Sequence, residues 1–230
     1  MLHRFGDEIW TVEGATVFVA GFAYPTRMAV IRLSTGDLFV WSPTALSDRL
    51  QAAIEILGPV RHIVAPNTLH HLFIGEWQAA YPDASLYGLP ALRAKRPDLR
   101  WDQDLADAPA AAWSAEIDQV LVDRNRITAE VVFFHRRSRT AIFTDLVQHF
   151  APGWFKGWRG LVASLDRLTA DRPTVPRKFR MMFRDRDRAR RAVRRIAAWP
   201  TESVLLAHGA PITHDGRDAI LHAFAWLLRV

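Results

Sequence analysis

His62-Ile63-Val64-Ala65-Pro66-Asn67-Thr68-Leu69-His70-His71, residues 62–71, begins as a short apolar strand and ends in a loop that carries two adjacent imidazoles. Strand ends are rigid and the loops beyond them are open, so functional groups concentrate there. Three further segments end in the same way: Phe134-His135, Phe143-Thr144-Asp145, and Leu206-Ala207-His208-Gly209-Ala210-Pro211. They are far apart along the chain, so only a fold can bring them together.

Upstream, apolar runs over Glu8–Val12, Thr16–Ala20, Met28–Leu33 and Asp37–Trp41 alternate with turn residues and predict an antiparallel meander. Leu46, Leu50, Ala53, Ile54 and Leu57 keep helical spacing between a Thr44 cap and a Gly58 stop. After the strand at 62–65, a helix is expected from about Leu69 to Ala80, with Leu69, Leu72, Phe73, Trp77 and Ala80 as its buried stripe, and then a strand at Ser85–Tyr87. Residues 102–112 read as loop. Further strands are expected at Ile117–Val122, Ala129–His135, Thr140–Thr144 and Ser203–Ala207, and Ile220, Ala223, Phe224, Leu227 and Leu228 share one face of a closing helix. Two strand-rich halves, each bearing helices, imply an α/β four-layer αββα sandwich. With no linker-like stretch to divide it, the chain is expected to form a single domain over residues 1–230. Gly153–Arg195 has no clear assignment.

The composition, 50% hydrophobic and 23% charged in 230 residues, is that of a folded globular protein. Without cysteine there can be no disulfide, thiolate metal site or cysteine nucleophile, so any metal must use His, Asp, Glu or water. The opening residues lack a basic-then-apolar secretion profile, and the apolar run Ala15–Tyr24 is too short to span a bilayer, so a cytoplasmic location is expected. The net charge of +6 is uneven: residues 172–195 hold eleven Lys or Arg against two Asp, a local +9 that leaves −3 for the remainder.

The order strand, His-bearing loop, helix, strand with Thr-Asp, strand with His-Gly resembles the metallo-β-lactamase-fold hydrolases over most of the chain. Ser42-Pro43, Pro66-Asn67, His70-His71, Glu76-Trp77, Tyr81-Pro82 and Thr144-Asp145-Leu146 resemble a divergent branch of that superfamily. Matching the last His of the family's His-x-His-x-Asp-His motif to His71 puts Pro66, Thr68 and His70 at the other three positions, so one of four survives. A further family ligand His, expected just before the strand at Ala129, is replaced by Arg124-Asn125-Arg126. The resemblance implies that one of two metal pockets is lost, while the other keeps His71, Asp145 and His208, with His70 standing in for Asp. Such a set suffices for one Zn, Fe or Mn ion with an open position. Because adjacent residues point about 100° apart on a helix, His70 and His71 can share an ion only from a loop or first turn.

The remaining candidates carry less. His135 is expected on the surface, since Arg136-Arg137-Ser138-Arg139 turns the chain directly after it; His149 is a lone loop imidazole near Asp145. Trp154, Phe155 and Trp158 are either a lid over the site, lining it for an apolar substrate, or ordinary core. Within 187–199, Ala189, Ala192, Val193, Ile196 and Ala197 fall on one face and Arg188, Arg190, Arg191, Arg194 and Arg195 on the other. This is an amphipathic surface helix, with nucleic acid or an anionic surface as the alternative use of the arginines. Three functional expectations follow: a mononuclear metal-dependent hydrolase acting on a small-molecule ester, thioester or lactone; a metal-free binding or scaffold protein on the same fold; and RNA binding through the Arg-rich helix.

Overall fold

The computed structural model describes residues 1–228. Its first sheet has seven strands in sequence order, β1 (Leu2–Gly6), β2 (Ile9–Val19), β3 (Phe22–Arg32), β4 (Leu38–Trp41), β5 (Val60–Val64), β6 (Ser85–Gly88) and β7 (Gln103–Asp104). β1 to β4 pair antiparallel, as the meander predicts, and β4 to β7 pair parallel. The first two expected strands are one long strand, β2, which forms a hairpin with β3. Ala20 (φ 48°) and Gly21 (φ 79°) close it with the left-handed backbone that a tight two-residue hairpin needs. The second sheet has the order β11-β10-β9-β8, from β8 (Ile117–Val122), β9 (Glu130–His135), β10 (Thr140–Phe143) and β11 (Ser203–Leu206).

Strand alternation sorts the core into layers. On β4, Phe39 and Trp41 join Tyr87, Trp113, Phe133, Ile142 and Leu205 between the two sheets. Leu38 and Val40 face the other way, onto Leu50 and Ile54 of α1 (Asp48–Glu55) and Ile74 and Trp77 of α2 (Ile74–Ala80). A short α3 (Pro90–Lys95) follows β6, and α4 (Gly157–Leu165) and α5 (Arg177–Met181) lie within the stretch that had no clear assignment. On the outer face of the second sheet lie α6 (Arg186–Ala197), α7 (Gly216–Ala223) and α8 (Ala225–Leu228), with Val193, Ile196, Ile220 and Phe224 packed on Phe134, Phe143 and Leu206. These layers form the expected αββα sandwich. Among the described residues no helix is long and apolar enough to cross a membrane.

Several local expectations are corrected. The cap of α1 is Ser47, whose hydroxyl accepts the Leu50 amide, rather than Thr44. α2 starts at Ile74, because the Asn67 side-chain carbonyl accepts the amides of Leu69 and His70 and holds this segment in a turn. Leu69 and Leu72 are therefore exposed rather than part of a buried stripe. The loop expected at 102–112 contributes the two-residue strand β7 on the sheet edge. His135 is fully buried, because the β9–β10 turn folds Ser138 back over it.

Candidate metal centre

Parallel pairing brings the distant strand ends together. β10 and β11 run in register with Phe143 opposite Leu206, so Asp145 and His208 leave the second sheet side by side. β4 and β5 pair Trp41 with Val64, which places Ser42 beside the loop that carries Asn67 and His70. An Asn67–Glu130 bridge and the Val131 amide on the Pro66 carbonyl (2.9 Å) join the two sheets at this corner.

Three of the expected residues converge: His70, Asp145 and His208. The two imidazole Nε2 atoms are 3.2 Å apart; His70 Nε2 is 3.3 Å from Asp145 Oδ2, and His208 Nε2 is 3.4 Å from Asp145 Oδ1. Ligand atoms at roughly 2.0–2.1 Å from a tetrahedral ion stand about 3.3 Å from one another, so this triangle has the edges of a tetrahedral face. Among the described residues it is the one group of three or more such side chains with donor atoms this close.

Fixed partners orient each member. The carbonyl of Pro25 can only accept, so His208 donates to it from Nδ1 at 2.8 Å, which turns Nε2 toward the group. His70 Nδ1 lies 2.7 Å from the Ser42 hydroxyl, on a residue held at φ 51°. Asn67 donates to Asp145 Oδ2 at 2.7 Å and to Thr144 Oγ1 at 3.1 Å. Arg27, buried in β3, donates to the carbonyls of Leu206 and Gly209 and so ties the His208 loop to the hairpin. Burial alone would push the Asp145 carboxyl up, but the adjoining His70 and His208 rings outweigh it and hold it well below the usual carboxylate range.

Behind the site lies Glu130, a fully buried carboxylate that belongs to none of the strand-end motifs. Its two oxygens accept the amides of Thr144 (2.8 Å), Asp145 (2.8 Å) and Leu146 (3.0 Å), fixing the turn that aims Asp145. Burial, with the nearby Asp145 charge adding to it, pushes the Glu130 carboxyl up to about 7. The one signal in the sequence is an acid opening an otherwise apolar strand, Glu130-Val-Val-Phe-Phe.

Other expected residues lie elsewhere. His71, expected to be the principal loop ligand, stays outside the triangle. The Asn67 turn points His70 inward, and His71 Nδ1 accepts from Arg96 at 3.2 Å on the cleft rim. Burial, with the charges of Lys95 and Arg96, lowers its pKa. His149 faces the carbonyls of Ala210 and Asp171. The cleft over the triangle holds about 550 Å³, and its apolar walls come from Val17 to Val19 at the hairpin tip, from Leu69, Leu72 and Phe73, and from Ile127 and Phe179. The aromatic loop does not line it. Phe155 is buried against Tyr24 and Phe150, behind the edge-on contact of Tyr24 with His208, while Trp154 and Trp158 face outward. Helix α6 buries the apolar face predicted for it. On its other face Arg188 pairs with Asp123, Arg190 with Asp187 and Arg195 with Asp107, which leaves Arg191 and Arg194 without a carboxylate among the described residues.

Residues 6–152 match the family described as a domain of unknown function, DUF4336. A comparison with curated proteins finds no match. Among solved structures, the chain is similar to a metal-soaked flavodiiron core from Synechocystis sp. PCC6803, with a TM-score of 0.69 and 10% identity over 99% of this chain. It spans 60% of that protein's length. It is also similar to a metallo-β-lactamase from Hirschia baltica (TM-score 0.64, 14% identity, 100% of this chain and 98% of that one). A third is FIM-1 from Pseudomonas aeruginosa in a mono-zinc form (TM-score 0.64, 12% identity, 99% and 94%). These likenesses establish the metallo-β-lactamase fold.

Proposed function

The chain belongs to the DUF4336 family, and from that premise we propose that it is a mononuclear metal-dependent hydrolase of an ester, thioester or lactone. The observation that carries this reading is the triangle of His70 Nε2, His208 Nε2 and the Asp145 carboxylate, with edges of 3.2–3.4 Å beneath an apolar cleft. Two imidazoles and one carboxylate form the donor set that Zn²⁺, Fe²⁺ or Mn²⁺ takes when a position is left open. Such an ion supplies a Lewis acid for an acyl carbonyl and brings the pKa of water down toward about 7. The protein's own residues do the remainder. Pro25 and Ser42 orient the two rings, Asn67 and Glu130 orient the carboxylate, and the cleft walls exclude water from an apolar acyl group. Lys178, whose Nζ is 3.2 Å from the Tyr24 hydroxyl inside the cleft, offers a cation to an anionic end of the substrate.

One observation favours a metal-free binding protein instead. Without an ion the polar groups can satisfy one another in a neutral chain: Ser42 donates to His70 Nδ1, His70 Nε2–H to His208 Nε2, and His208 Nδ1–H to Pro25. Metal analysis of untagged protein separates the two readings. About one ion per chain, lost in both His70→Ala and His208→Ala, with chelator-sensitive turnover of an ester, thioester or lactone panel, is the expected result. Protein that takes up no Zn²⁺, Mn²⁺ or Fe²⁺ on soaking would sink the hydrolase.

A further inference from the structure

We propose that the face formed by α4 and the tip of the β2–β3 hairpin docks on an anionic lipid surface. Of the thirteen large apolar side chains exposed among the described residues, nine lie on the hairpin tip, the loop and helix over 154–165, or the adjoining cleft wall. On α4, Trp158 (60% exposed), Leu161 (65%) and Leu165 (59%) recur at helical spacing on the side away from buried Ala163. Phe18, 73% exposed, projects from the hairpin tip, and Trp154 from the loop before the helix. The two elements form one surface: the rings of Phe22 and Trp158 are 6.0 Å apart, and the Arg159 guanidinium lies against Gly21 and over Trp158 at 4.7 Å.

Charge decides the occupant. There is no Asp or Glu from 146 to 165, nor from 14 to 36. The first acid after α4, Asp166, already accepts the Lys178 amide at 2.8 Å and faces that residue's ammonium at 3.7 Å. Lys156, Arg159, Arg167 and Arg177 flank the patch with no carboxylate partner among the described residues. A second copy of this chain would present the same positive charge and be repelled. A bilayer with anionic headgroups instead matches both features: Trp and Leu enter the interface while Lys and Arg meet the phosphates. Phe18 belongs to both this patch and the cleft wall, so docking would open the cleft toward the membrane. The inference does not depend on a metal at the site.

The test is co-sedimentation of the full chain with vesicles of phosphatidylcholine alone and of equimolar phosphatidylcholine and phosphatidylglycerol, at low and high salt, with light scattering of the free protein. Binding should require phosphatidylglycerol and fade with salt. Lys156→Gln with Arg167→Gln should weaken it about thirtyfold, at about fivefold per charge near an anionic surface. Trp158→Ser with Leu161→Ser should weaken it roughly tenfold or more. All four positions are exposed, and unchanged circular dichroism and melting behaviour confirm that these variants are folded. Failure to bind the anionic vesicles, equal binding to neutral ones, or a patch variant that changes only self-association would each overturn the proposal.

Discussion

Acidifying the protein from about pH 7.5 to about pH 5 should remove about 2 kcal/mol of stability through His135 alone. The ring is fully buried. Its Nδ1–H donates to Ser138 Oγ at 2.8 Å, that hydroxyl donates to Thr140 Oγ1 at 2.8 Å, and Nε2 faces the interior with no partner. Protonation would put a charged N–H where nothing accepts it, so burial lowers the pKa from 6.5 to about 4. A base depressed by folding stabilises the native state fully above its unfolded pKa and loses that contribution as pH falls through the window between the two values. For 6.5 and about 4, linkage gives about 2 kcal/mol lost by pH 5 and about 3 kcal/mol once the ring is fully charged. That is a large share of the roughly 5–15 kcal/mol that holds a domain together. Urea unfolding across this pH range, on wild type and His135→Phe, isolates the effect. The phenyl ring keeps the packing, loses one hydrogen bond at a constant cost of about 1 kcal/mol, and cannot titrate. A His135→Phe protein that loses as much stability as wild type between pH 7.5 and pH 5 would refute the reasoning.

Three further outcomes follow from the site. His71→Ala should keep the metal content of wild type, since His71 lies on Arg96 outside the triangle, whereas His70→Ala should lose it; the reverse pattern in elemental analysis would reassign the ligand. Asn67→Ala removes the acceptor for two amides and the donor to Asp145, so it should lower stability by about 2–4 kcal/mol and metal affinity by about 10–100-fold, measured by denaturation and by competition with a chelating dye. Gly209 combines φ 85° with a Cβ direction that runs into the His149 carbonyl, so Gly209→Ala should cost about 2 kcal/mol or more and displace His208; an unchanged melting temperature would contradict the geometry.

The fold is legible in the sequence because its layers are written in simple periods. Phe39 and Trp41 against Leu38 and Val40 show a strand buried on both faces, and the spacing of Ala189, Val193 and Ile196 by itself marks the buried face of α6. Asp145 and His208 stand out because each directly follows an apolar strand. The choice between His70 and His71 has no such mark, because it depends on one side-chain carbonyl. Asn67 captures the amides of Leu69 and His70 and replaces a helical turn with a loop, which sends His70 into the triangle and leaves His71 on the cleft rim against Arg96. His135 departs from its expected surface position for a related reason: the arginine-rich turn after it does reach solvent, but Ser138 folds back to cover the ring. Glu130 leaves almost no trace, since its three partners are backbone amides fourteen to sixteen residues away, and backbone groups have no sequence signature.

Glu130 also bears on whether the site is a working centre or a remnant. Two carboxyl groups, Glu130 and Asp145, are buried around one turn, and the Asp145 charge adds to burial in pushing the Glu130 carboxyl up. Protonating Glu130 relieves that repulsion but adds a buried O–H that needs an acceptor of its own beside the three amides. A dication held by His70, Asp145 and His208 would also ease the repulsion, since its positive charge would favour the ionised form of both carboxyls. Replacing Glu130 with an apolar side chain would leave the amides of Thr144, Asp145 and Leu146 without their acceptor, so the acid serves this turn with or without an ion. The triangle of His70, Asp145 and His208 carries the metal reading by its own edges of 3.2–3.4 Å, and Glu130 carries the turn that aims its carboxylate.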